Sequence, residues 1–70
     1  MILEKIKITT EFIKLEQMMK FAGLTESGSE AKHIIAEGHV KVNGNTELQR
    51  GKKLRPGDIV SYDGKDYMIE

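Results

Sequence analysis

Four cationic side chains lie within a six-residue stretch in the second half of the chain, and their types suit phosphate binding. They are Arg50, Lys52, Lys53 and Arg55. An arginine fork can bind two phosphate oxygens at once, whereas a lysine acts as a flexible point charge. The sequence contains no pair of nucleophile and base, so these residues suit binding of a phosphate backbone better than catalysis. An ordinary solvated loop with a run of charge explains them at least as well from composition alone.

A second candidate for phosphate binding is the start of a predicted helix at Gly28 and Ser29. The first amides of a helix lack partners within it and lie at the positive end of its dipole. Glycine permits close approach of a phosphate, and Lys32 falls four residues after Gly28 on the same helical face. An ordinary helix start with a solvated lysine explains the same residues, and both interpretations remain open.

Three further lysines extend the candidate set along the chain. The full set of predicted binding residues is Lys14, Lys20, Gly28, Ser29, Lys32, Lys41, Arg50, Lys52, Lys53 and Arg55. Taken singly, such lysines are usually solvated surface residues. They form one patch only if the predicted helices and the loop of residues 50–55 meet on one side of the molecule.

Charge is unevenly distributed along a chain whose formal net charge is zero. Residues 1–37 contain five lysines and six glutamates, a net charge of −1. Residues 38–57 contain five cationic residues and one glutamate (+4), and residues 58–70 contain one lysine and four carboxylates (−3). Because salt screens charge beyond about 10 Å, a phosphate would respond to the basic middle segment and not to the neutral total.

Length and composition exclude several classes of protein and site. Seventy residues predict a single small domain, residues 1–70, near the lower limit for a self-sufficient core. There is no cysteine, and His33 and His39 lack further ligands at suitable spacing, so we expect no metal and no cofactor. No apolar run approaches the roughly 20 residues of a membrane span, and the start of the chain does not resemble a signal peptide, so we expect a cytoplasmic protein with no membrane partner.

Two short helices are predicted to position the candidate residues. The apolar stripe of the first consists of Leu15, Met18, Met19 and Ala22. Gly23 ends this helix, because glycine adopts a positive φ without strain. A capping box between Ser27 and Glu30 begins the second helix, and Gly38 ends it. Helices joined by so tight a turn should pack as a hairpin.

The rest of the chain is predicted to be β-structure. Residues 3–9 alternate as a strand, and residues 39–42 form another that enters a tight turn at Asn43-Gly44, with residues 47–49 pairing back. Pro56-Gly57 predicts a turn, and residues 59–62 and 67–69 predict a final hairpin. The predicted class is α+β, a helical hairpin packed on a small, mostly antiparallel β-sheet.

The aromatic residues are few, and Phe12 and Phe21 are predicted to belong to the core. This argues against an aromatic platform for single-stranded nucleic acid and favours recognition of a folded backbone.

The order of these blocks resembles the S4 domain, an RNA-binding domain also called the αL motif. Its pattern reads R-L-D, G-L, S-R-x-x-A, G-x-V-x-V-N-G and K-P-G-D. The corresponding blocks here are Lys14-Leu15-Glu16, Gly23-Leu24, Ser27 with Ala31, GHVKVNG from Gly38 to Gly44, and Arg55-Pro56-Gly57-Asp58. The resemblance covers residues 12–62, and the V-x-V-N-G block followed by P-G-D is its most specific part.

One departure from the family pattern, together with other segments, indicates which branch of the family the chain resembles. Gly28 stands where the family has an arginine. The segment SGSEAKHII, the extra N-terminal strand and the run R-G-K-K-L are more similar to a small, stand-alone bacterial branch of the family.

The resemblance implies a non-catalytic protein that binds structured RNA, most plausibly ribosomal RNA or a ribosomal particle, in ribosome assembly or maintenance. It implies no enzyme and no small-molecule substrate, and we expect a monomer. The alternative is a protein-interaction adaptor that uses the same basic face or offers an edge strand to its partner.

Overall fold

The computed structural model describes residues 2–70 and contains two helices and seven strands within them. The strands are β1 (Ile2–Ile6), β2 (Ile13–Lys14), β3 (Val40–Val42), β4 (Asn45–Thr46), β5 (Lys53–Leu54), β6 (Ile59–Tyr62) and β7 (Lys65–Ile69). The helices are α1 (Leu15–Phe21) and α2 (Gly28–Ala36). The predicted α+β class is confirmed.

Five of the strands form one sheet in the order β1-β7-β6-β3-β4. The pairs β7–β6, β6–β3 and β3–β4 are antiparallel, whereas β1 joins β7 in parallel. β2 and β5 form a separate antiparallel pair beside this sheet. The sheet is therefore mostly antiparallel, as predicted, and its parallel edge brings the N-terminal and C-terminal strands together.

The core lies between the helical hairpin and one face of the five-stranded sheet. The fully buried side chains are Leu15, Met18, Met19, Ala31, Ile35, Val40, Leu54, Val60 and Ile69. The predicted stripe of α1 provides three of them and α2 provides two. Burial of these apolar faces is what holds two such short helices in place, because isolated helices of this length are unstable in water.

The helix ends follow the sequence signals with one exception. Gly23 and Gly38 have φ values of +76° and +82°, which stop α1 and α2 without strain. The Ser27 hydroxyl accepts a hydrogen bond from the Glu30 amide at 3.3 Å. Within the described residues the Glu30 side chain returns no bond, so only half of the predicted capping box forms.

Two predicted strands differ from those in the structure. Asn43 and Gly44 both have positive φ, +52° and +86°, and this two-residue turn pairs Val42 directly with Asn45. The returning strand is therefore β4, and Glu47 of the predicted residues 47–49 continues its pairing by donating its amide to the Val40 carbonyl at 2.9 Å. β1 is shorter than predicted because its partner β7 ends, and the last contact is the Ile8 amide donating to the Glu70 carbonyl at 2.8 Å.

Candidate nucleic-acid interface

The basic loop, residues 50–55, is fixed to the beginning of α1 by backbone hydrogen bonds. The Leu15 amide donates to the Lys52 carbonyl at 2.9 Å, and the Glu16 amide donates to the Arg50 carbonyl at 3.0 Å. These amides belong to the first turn of α1 and have no acceptor within the helix. The loop therefore satisfies the end of the helix, while its four cationic side chains are exposed to solvent.

The strand pair β2–β5 sets two lysines directly opposite each other. Lys14 is the partner of Lys53, and Ile13 is the partner of the fully buried Leu54. Like charges at facing positions destabilise a strand pair. A phosphate between the two ammonium groups would relieve this repulsion.

The Phe12 ring contacts Lys53 and one further cationic side chain, Arg55. The Lys53 Nζ atom lies 4.9 Å from the centre of the Phe12 ring, and the Arg55 Cζ atom lies 5.9 Å from it. Both distances are within the range of a cation–π contact. The half-buried ring thus holds both side chains beside α1.

The far end of the basic loop is ordered by Asp58. Its carboxylate accepts a hydrogen bond from the Arg55 amide at 2.8 Å, and its other oxygen accepts one from the Asn43 side chain at 3.1 Å. The bond from the Arg55 amide is the main reason that the pKa of Asp58 is lowered; the Asn43 amide and the charges of Lys52 and Arg55 act in the same direction. Asp58 therefore stays ionised and offsets part of the positive charge of the loop.

The helical hairpin carries a second group of candidates. Lys20 and Gly28 line a small recess of about 180 Å³ between α1 and the start of α2, together with Glu16 and Gln17. Lys32 is exposed one helical turn beyond Gly28, on the same side of α2. Lys20 also lines the groove that contains Phe12, so it connects the α2 start with the basic loop.

Ser29 lies beside Gly28 at the start of α2, whereas Lys41 lies apart from the other candidate residues. Ser29 is exposed in the first turn of α2, where its amide is free of any intrahelical acceptor. Lys41 lies between the buried Val40 and Val42, and side chains alternate along a strand. It therefore points from the face of the sheet opposite the core and is not brought together with the other candidates.

The prediction that Phe21 belongs to the core is wrong, and that for Phe12 holds only in part. Phe21 is 67% exposed, and Phe12 is half-buried. Both line a groove of about 550 Å³ beside α1. The signal was present in the sequence, because Phe21 falls outside the helical stripe that begins at Leu15.

The described residues, 2–70, also bear on metal binding and on membrane insertion. Among them, no cluster of three or more histidine or carboxylate side chains could hold a metal ion. No helix in the same range is long and apolar enough to cross a membrane.

Comparison with known proteins gives consistent matches over most of the chain. Residues 6–70 match the model of the S4 domain. "Probable ribosome maturation protein RlbA" of Bacillus subtilis is 42% identical over 59 residues, which cover 84% of this chain and 83% of that protein. "Putative RNA-binding protein YbcJ" of Escherichia coli is 39% identical over 57 residues, 81% of each chain.

Two solved structures share the fold. The solution structure of YbcJ, described as having an αL motif involved in RNA-binding, superimposes with a TM-score of 0.67 and 33% identity, covering 99% of this chain and 86% of that one. The 30S ribosomal protein S4e of Thermoplasma acidophilum has a TM-score of 0.70 and 24% identity, covering 86% of this chain and 32% of that one. The second likeness concerns the fold alone.

Proposed function

The chain belongs to the S4 domain family, and from that premise we propose that it binds structured RNA without catalysing a reaction. We propose ribosomal RNA or a ribosomal particle as the partner, and assembly or maintenance of the ribosome in the cytoplasm as the role. The names of the relatives support a ribosomal RNA partner, since one is called a probable ribosome maturation protein and the other a putative RNA-binding protein.

The proposed interface has two parts that hold neighbouring runs of phosphates. In the first, Arg50, Lys52, Lys53 and Arg55 project from the basic loop, with Lys14 facing Lys53. In the second, Lys20 and Lys32 flank the first turn of α2, where the amides of Gly28 and Ser29 can donate to a phosphate. We assign Lys41 no phosphate contact, because it lies on the opposite face of the sheet.

The observation that carries this proposal is the meeting of the basic loop with α1. Backbone bonds fix the loop to the helix, and Phe12 holds two of its cations next to a groove that Lys20 lines. Side chains from separated parts of the sequence thereby form one cationic edge. Several cations along one edge suit the repeated charges of an RNA backbone better than the few charges of a small molecule.

Co-sedimentation with ribosomal subunits at graded salt tests the proposal. The double variant Lys52→Glu and Lys53→Glu should lose binding to subunits and to all structured RNAs alike, because phosphate contacts carry no sequence information. The control is Lys41→Glu, which reverses one charge on the opposite face, a change of −2 against −4 in the double variant, and should bind as the unaltered protein does.

Two results would contradict the proposal. A loss in Lys41→Glu that equals the loss per reversed charge in the loop variant would mean that overall charge, and not this edge, governs binding. Association with proteins of the subunit that persists after complete ribonuclease digestion would identify an acidic protein surface as the partner, as an adaptor would require.

A further inference from the structure

We propose that the groove between Phe12 and Phe21 binds one unpaired base of the RNA. This inference rests on the proposed function and adds to it a class of RNA element. The groove is lined by Thr10, Phe12, Ile13, Gln17, Lys20 and Phe21. Its volume of about 550 Å³ lies in the range of ordinary ligand sites, roughly 300–1,000 Å³.

Phe21 is the unusual residue of this groove. Its ring is 67% exposed at the end of α1, whereas the neighbouring apolar residues Met18 and Met19 are fully buried. The ring also borders a second recess of about 290 Å³ that includes Ile8 and Ile13, so it forms a wall between two apolar surfaces. A phenylalanine in this position adds nothing to the core but offers an aromatic face for stacking.

The charge around the groove identifies the occupant as a nucleotide. Lys20 lines the groove, Lys7 lines the adjoining recess, and Lys53 and Arg55 lie over the Phe12 ring. No carboxylate lines either of the two recesses within the described residues. An apolar, aromatic surface surrounded by cations is complementary to a base attached to phosphates, since one part stacks and the other pairs with charge.

The geometry of RNA determines which RNA molecules could place a base in this groove. In a continuous A-form helix every base is stacked inside and cannot reach a side-chain groove, whereas a bulge or loop can extend a base outward. The cationic edge alone would bind both kinds of RNA equally. The groove should therefore make the protein prefer a helix interrupted by an unpaired base.

Two short RNA hairpins that differ by a single bulged adenine test this inference. The unaltered protein should bind the bulged hairpin more tightly, and Phe21→Ala should abolish the preference. Because stacking of one base accounts for about 1–3 kcal/mol, the preference should be about five- to hundred-fold. Phe21→Tyr keeps the aromatic face and should keep the preference, whereas Phe21→Leu keeps the apolar volume and should lose it.

The outcomes separate this inference from the proposed function. If both hairpins bind equally and Lys52→Glu with Lys53→Glu weakens both, RNA binding stands and the base site is overturned. If Phe21→Leu retains the full preference, the groove accepts apolar contact in general and stacking is overturned. If neither hairpin binds at low salt, the proposed function fails together with the inference.

Discussion

Asn43 and Asp58, which carry much of the family resemblance, have a structural role that explains their spacing. The Asn43 side chain accepts a hydrogen bond from the Ile59 amide at 3.0 Å and donates one to Asp58 at 3.1 Å. Asp58 in turn accepts from the Arg55 amide. The two turns are thereby tied together, and the end of the basic loop is fixed by residues that need not touch RNA themselves.

The first prediction concerns the charge of Asp58. Its pKa lies below the ordinary value of 3.8, mainly because the Arg55 amide donates to the carboxylate. The carboxylate therefore stabilises the fold fully above that value, and this stabilisation is lost as pH falls through the folded-state pKa. Asp58→Asn should lower the free energy of unfolding by about 1 kcal/mol near neutral pH and by progressively less in acid.

Urea denaturation at a series of pH values measures this effect. Asp63→Asn is the matched control, because Asp63 is an exposed carboxylate with φ of +52° in the β6–β7 turn, a conformation that asparagine also adopts. Its stability should differ little from that of the unaltered protein. A difference between Asp58→Asn and the unaltered protein that stays constant down to the lowest pH would show that charge is not the cause.

Single residues also show which parts of the site can be predicted from sequence. The cations of the basic loop are evident from charge alone, and the motif places Gly28 and Ser29 at a helix start. The contact between Phe12 and Lys53 is not evident, because the 40 positions between them carry no local signal. Hydrophobicity predicts Phe21 in the core, and this is wrong because its position lies outside the buried stripe of α1.

The pair β2–β5 brings Lys14 and Lys53 of the proposed site together, and sequence patterns do not predict this pairing. Each strand has only two residues, too few to show a period of two. Leu54 provides the physical reason for the pairing, since its complete burial draws β5 against the start of α1. The sequence also does not predict the parallel pairing of β1 with β7, because periodicity indicates a strand but not its partner.

The second prediction concerns the N-terminus of α2. Ser27→Ala removes the hydroxyl that accepts from the Glu30 amide and should lower the free energy of unfolding by about 1 kcal/mol. Ser29→Ala is the matched control, because Ser29 is exposed inside the helix and alanine favours helix. Thermal denaturation should show a lower melting temperature for Ser27→Ala only. Equal melting temperatures for both variants would mean that the cap contributes nothing.

At the scale of the whole molecule, the zero net charge is the sum of segments of opposite sign. The proposed cationic edge consists of the basic loop with Lys14, Lys20 and Lys32, whereas residues 58–70 carry a net charge of −3 and the outer face of the sheet pairs Ser61 with Asp66 at 2.6 Å. Lys41 lies on that outer face, opposite Ser61. A net charge of zero is thus compatible with a locally positive surface, because potentials act over about 10 Å in physiological salt.

The salt dependence of binding tests this separation of charge. If the cationic edge neutralises about four phosphates, the logarithm of the affinity should fall with the logarithm of salt concentration at a slope of roughly −3. Titration of a structured RNA at several salt concentrations measures the slope. The loop variant, Lys52→Glu with Lys53→Glu, should reduce it by about two, whereas Lys41→Glu should leave it unchanged. A slope near zero for the unaltered protein would mean that the zero net charge of the whole protein governs RNA binding and that the cationic edge does not contact phosphates.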